Sequence, residues 1–230
     1  MAKPDILTEV ASLAPAEAER RLKKHLRKRP RDAAAMQAYG DLLESQGRLS
    51  ELADPLTTLA RSMPSDADLL GRAIDANAAA GRHQQALLIA LQACDQFSDN
   101  AKMWHRRGSA ELALSNAAQA AKSFRIAHDL APDDDAILAA LADAELSSGA
   151  FPIPDTYARK ILERAPDIAS HHVRLGTAHR LNNHLEQAEA CFRKAIDLDA
   201  TLPSGHAGLA ETLESLGRSQ EAADQLRPLI

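Results

Sequence analysis

AKMWHRRGSAELALSNAAQAAKSFRIAHDLAPDD, residues 101–134, decides the fold. Trp104 and Gly108 lie on a first helix, a turn follows near Ser115, and Ala120, Phe124 and Ala127 lie on a second. Pro132 then forbids continuation, because it has no backbone N–H and its ring clashes with the preceding turn. The same beats return on either side. Pro30, Pro64, Pro132 and Pro166 stand 34, 68 and 34 residues apart, with Ser98 on the missing beat. Gly40, Gly108 and Gly176 are spaced by 68, and Ala86, Ala120, Ala188 and Ala222 keep the same grid. A 34-residue period with a small residue in one helix, an alanine in the next and a closing proline predicts an all-α solenoid of antiparallel helix pairs.

Cutting at this period gives a partial N-terminal unit over 1–32 and repeats starting at Ala33, Ala67, Ala101, Asp135, Ala169 and Pro203. Turns are expected near Gly47, Gly81, Ser115, Gly149, Asn183 and Gly217, where glycine or asparagine suits a left-handed helix end. Trp104, Gly108, Ala120, Phe124, Ala127 and Pro132 resemble the tetratricopeptide repeat pattern, and Gly176, Ala188, Phe192 and Ala195 resemble it again. The resemblance implies a right-handed superhelix whose first helices line a concave groove, where similar repeats bind extended peptides or partner domains.

Composition is consistent with one elongated domain over 1–230, each unit burying its apolar face against its neighbours. Apolar residues make up 45% of the chain but aromatics only 3%, so the core is built by close helix approach rather than by large rings. A net charge of −5 does not mark a general nucleic-acid binder. Cys94 and Cys191 lie nearly three repeats apart and read as reduced core thiols rather than a disulfide. No apolar run approaches the ~20 residues of a membrane helix. The N-terminal stretch is charged where a secretory signal needs apolar residues, so a cytoplasmic location is expected.

Two places break the pattern. Pro55 falls inside a second helix and is expected to restart it, with Asp54 as cap. Phe151-Pro152-Ile153-Pro154 stands where another second helix should begin, so a shortened helix is expected from near Asp155, with a hinge as the alternative. The chain also stops inside a second helix at Ile230, without the polar capping helix that solenoids need. That reads as the N-terminal part of a longer protein, or as self-association through the C-terminal helix.

Helix periodicity puts Gln37, Asp41, Glu44, Asp68, Arg72, Asp75, Lys102, His105, Arg106, Ser109, Asp143, Arg174, Thr177, Arg180, Glu211 and Glu214 on the groove side. Lys102, His105, Arg106, Arg174 and Arg180 are the expected anchors for partner carboxylates, while Asp41, Asp75 and Glu211 exclude wrong partners or meet basic ones. Lys102 and Arg106 match the basic residues that some tetratricopeptide domains use to clamp a C-terminal carboxylate. Gln37, Asp41 and Asp75 do not match that clamp, and it is not expected here.

The basic segment Arg20–Arg29 reads as an outer helix face with Leu22 and Leu26 packed inward. His172, His179 and His206 occupy the Trp and Tyr places of similar repeats and are expected to pack rather than ligate metal. No Gly-rich phosphate loop, G-x-S-x-G elbow or H-E-x-x-H motif appears, and neither cofactor nor catalytic residue is expected. The reading is a non-enzymatic scaffold for a protein or peptide partner. The alternative, implied by the resemblance to bacterial arrays that precede a catalytic domain, is an N-terminal targeting or regulatory module of a larger bacterial enzyme such as a sulfotransferase or another transferase.

Overall fold

The computed structural model describes residues 6–150 and 152–226. Phe151 and the terminal Arg227–Ile230, on which the expectations about the chain end rest, lie outside the described residues. Contacts divide the chain into a unit over 1–114 and a unit over 115–230. The first holds α1 (Ile6–Val10), α2 (Pro15–Lys28), α3 (Ala33–Ser45), a 3-10 turn (Leu49–Leu52), α4 (Ala53–Ser62), α5 (Ala67–Ala79), α6 (His83–Gln96) and α7 (Ala101–Ala113). The second holds α8 (Ala117–Leu130), α9 (Asp135–Ser147), α10 (Thr156–Arg164), α11 (Ala169–Leu181), α12 (Leu185–Leu198), α13 (Pro203–Ser215) and α14 (Ser219–Leu226). There is no strand among the described residues.

Local chemistry starts these helices on the 34-residue beat. Asp32, Asp66, Asn100 and Asp134 are N-caps, each side chain accepting from backbone N–H groups two or three residues on. The series then lapses: Ile168 and Leu202, at the next two steps, make no capping bond. Turns between paired helices pass through positive φ at Gly47, Gly81, Gly149 and Gly217, and also at Ser115 and Asn183. A side chain there costs about 1–2 kcal/mol against the right-handed alternative. The tight turn is nevertheless kept at both.

In the first unit Leu43, Leu52, Leu56, Leu70 and Ile74 are fully buried, with Ala73, Ala76, Ala86, Ala90 and Ala93 between them. In the second, Phe192 packs with Ala188, Leu209, Ala210, Leu213 and Ala222. Burying that ring contributes about 3 kcal/mol. A Cβ on Gly176 would lie 3.1 Å from both Cys191 Cβ and the Phe192 ring, so glycine there lets α11 settle on α12. Both cysteines are free thiols, and burial pushes the Cys94 thiol up to about 11.

Both irregular places resolve locally. A 3-10 turn over Leu49–Leu52 leads into α4, which begins at Ala53 rather than after an Asp54 cap. Pro55 therefore falls in the first turn, where a backbone N–H has no helical partner to lose. Asp54 pairs with Arg82 instead. Around Ile153 the chain runs without helix, and Asn182 holds it. The Asn182 amide accepts from Ile153 N–H and donates to Ile153 C=O, both at 2.8 Å. The shortened α10 then starts at Thr156, as expected.

Candidate functional site

In the first unit the charged face is supplied by α3, α5 and α7. Arg106 on α7 donates through Nε and Nη2 to the two carboxylate oxygens of Asp75 on α5, at 2.9 and 2.8 Å. One step earlier, Arg72 on α5 reaches Asp41 at 3.4 Å and Glu44 at 3.3 Å on α3. Lys102 is exposed on the same face and forms no ion pair among the described residues. His105 lies half-buried beside it.

The second unit repeats the device on α9, α11 and α13. Arg174 on α11 donates to both oxygens of Asp143 on α9, at 2.6 and 2.9 Å. Arg180 on α11 pairs with Glu211 on α13 at 3.0 Å. Arg106, Arg174 and Arg180, expected as anchors for a partner's carboxylates, thus already hold carboxylates of this chain. The bidentate Arg106–Asp75 pair also consumes one of the two basic groups that match a carboxylate clamp.

The pairs have a signal in the sequence that residue-by-residue reading misses. Asp41 and Arg72, Asp75 and Arg106, and Asp143 and Arg174 are each 31 residues apart. At the three remaining steps of this register, 7 and 38, 109 and 140, then 177 and 208, both charges are missing together: Leu7 with Ala38, Ser109 with Ala140, Thr177 with Gly208. An acid without its base, or the reverse, never occurs at these positions.

Glycines seat two of the arginines. A Cβ on Gly40 would lie 1.8 Å from Arg72 Nη2, and one on Gly71 would lie 2.9 Å from Arg106 Nη1. Arg72 thus meets the preceding first helix with the Nη2 end of its guanidinium, while Arg106 sets its guanidinium against Gly71. Arg72 Nε and Arg180 Nε are buried and have no hydrogen-bond partner among the described residues.

Elsewhere the polar groups serve the scaffold. Arg48 bridges Glu19 and Glu51, and Arg218 bridges Glu189 and Glu221 at the same repeat positions (189 − 19, 218 − 48 and 221 − 51 are all 170). Hydrogen bonds from Arg48 and then Lys23 hold the Glu19 carboxyl down at about 2. On α2, Arg20, Arg21 and Lys23 pair with Glu9, Glu17 and Glu19, while Leu22 and Leu26 are buried. His172 and His206 each place Nε2 within 3.0 Å of the carbonyl six residues earlier, as Trp104 Nε1 does with Ser98. The imidazole keeps the ring N–H bond of the tryptophan it replaces. His179 is buried, as expected of a packing residue. Among the described residues no group of three His, Cys, Asp or Glu is placed to hold a metal ion.

The tetratricopeptide repeat signature matches residues 172–202, which run from within α11 through its Asn183 turn and all of α12. The chain has the fold of a tetratricopeptide repeat array. A search of curated proteins finds no match by sequence. Among solved structures, a tetratricopeptide repeat protein from Parabacteroides merdae ATCC 43184 aligns over 97% of this chain and 90% of its own, at 14% identity and a TM-score of 0.71. YrrB, described as a TPR protein with an unusual peptide-binding site, aligns over 80% of this chain and 95% of its own, at 16% identity and a TM-score of 0.65. MamA (41-end) from Desulfovibrio magneticus RS-1 aligns over 70% of the tetratricopeptide array and 92% of its own chain, at 18% identity and a TM-score of 0.64. These likenesses fix the fold. No helix among the described residues is long and apolar enough to cross a membrane.

Proposed function

We propose that this tetratricopeptide array is a non-enzymatic scaffold that captures an extended peptide segment or partner domain on its first-helix face. The observation that carries the reading is the concentration of exposed charge on that face. Asp41, Glu44, Asp68 and Lys102 project from α3, α5 and α7, whose opposite sides are committed to the core. A row of charged groups at repeat spacing selects a partner by complementary charge and fixes its register. YrrB, of the same fold, is described as having a peptide-binding site.

The test uses residues that the fold does not need. Reversing Arg106 would set a carboxylate against Asp75 and weaken the array itself. Asp68 and Lys102 are exposed and unpaired among the described residues. An Asp68→Lys/Lys102→Glu variant should keep its helical circular dichroism and lose, in affinity capture with mass spectrometry, a partner that the unaltered chain retains. Equal retention by both proteins would remove the first-helix face as the site.

A further inference from the structure

We infer that the first-helix face presents carboxylates, and that the segment it takes is rich in lysine or arginine rather than acidic. This rests on the reading of that face as the binding surface, and adds the chemistry of the occupant. In every ion pair between neighbouring first helices among the described residues the arginine is the inner member. Arg72, Arg106, Arg174 and Arg180 have side chains 11–27% exposed, while Asp41, Glu44, Asp75, Asp143 and Glu211 are 41–59% exposed. Gly40 and Gly71 are the physical cause in the first unit. By lacking a Cβ they let the guanidinium from the next first helix come against their own helix, where it is less exposed than the carboxylate it holds.

A carboxylate holding one bidentate arginine has used two of its roughly four acceptor directions. The rest point to water, free for a second donor. The half-buried guanidinium, by contrast, has its fork taken up by that carboxylate and offers an acidic partner little. On the first unit's face the charges are Asp41, Glu44, Asp68 and Asp75 against Arg72, Lys102 and Arg106, four negative to three positive. Because two of those positives lie beneath their partners, the outward field is more acidic than this count. Among the described residues of this unit's face, Lys102 stands free and sets a position where an acidic group of the partner is welcome.

The test measures anisotropy of fluorescein-labelled short oligolysine and oligoglutamate with the full chain, at about 50 mM and about 300 mM salt, since exposed charges are screened at the higher value. Three variants separate the face from bulk charge. Asp41→Asn/Asp75→Asn removes two face carboxylates. Asp95→Asn/Asp99→Asn removes the same charge from the end of α6 and the turn after it. Gly40→Ala keeps every charge but forces Arg72 outward, because its Cβ takes the place of Nη2.

The expected result is preference for oligolysine, weakened about tenfold by the Asp41/Asp75 variant, about threefold by Gly40→Ala and less than twofold by the Asp95/Asp99 variant. Equal weakening by the two Asp→Asn variants means attraction to net charge alone and overturns the inference. So does preference for oligoglutamate. If that preference is lost in Lys102→Gln, the face remains the binding surface with opposite polarity. If no face variant moves either peptide, the first-helix reading itself fails.

Discussion

At the scale of single residues, this array tolerates polar side chains where its repeat usually packs rings, and each has found a local reason to stay. Trp104, His172 and His206 share a ring donor aimed at the carbonyl six residues back. His128 and His179 are different, because burial is the leading cause holding each below the usual imidazole range. Lys160, whose Nζ lies 2.9 Å from His128 Nε2, and Arg164 push the same way at His128, against Asp129 and Asp133. At His179, Arg159 and His184 lower and Asp155 raises. The folded state thus resists protonation that the unfolded chain accepts near pH 6.5. Stability is fully present above that pH and falls as the pH drops from about 6.5 toward the folded values, since the unfolded state then binds more protons. Thermal midpoints measured between about pH 7.5 and pH 5 should decline, and His128→Gln/His179→Gln should flatten the decline.

At the scale of elements, each helix reads as a start signal, a packed stripe and a stop signal. The caps Asp32, Asp66, Asn100 and Asp134 show what α11 and α13 lack. Ile168 has the extended backbone of a cap (φ −96°, ψ 112°) and an exposed apolar side chain. Ile168→Asp should stabilise the chain by about 1 kcal/mol, through the capping bond and the favourable end of the helix dipole. Urea unfolding midpoints will register the gain, and no change would mean that the cap does not limit α11. Asn182 is the opposite case, a turn residue on which another element depends. Asn182→Ala removes both bonds to Ile153 and should cost about 2 kcal/mol. Faster amide exchange around 152–156 than elsewhere would place the loss there. The start of α10 was readable from Pro154 and Asp155. The residue that holds the segment was not, because Asn182 lies 29 positions away.

At the scale of the molecule, stability is set by alanine-lined helix contacts rather than by the many surface ion pairs. Exposed pairs contribute about 0–1 kcal/mol each and are screened by salt, whereas a dry seam of Ala73, Ala76, Ala86, Ala90 and Ala93 is not. Raising salt from about 50 to about 500 mM should therefore change the unfolding free energy by no more than about 1 kcal/mol. A larger loss in guanidine-free urea titrations would assign the ion pairs a structural weight denied to them above. The boundary between the two compact units falls between Leu114 and Ser115, within the repeat that starts at Ala101, so compactness and sequence period divide the chain differently.

The sequence by itself determined the helix pairs, their period, the positions of the turns and the side of each first helix that faces away from the core. Those features are local: caps, prolines, glycines and a 3.6-residue stripe act within a few positions, and the 34-residue beat repeats them. The charge pairs were also legible, as acids and arginines kept or dropped together at a separation of 31 residues. Only the tertiary structure decided which member of each pair faces water. That depends on how closely one first helix lies on the next, and on the Cβ missing at Gly40 and Gly71, which lets Arg72 and Arg106 sink beneath Asp41 and Asp75. Charge is written in the sequence, but its exposure is a property of the packed helices.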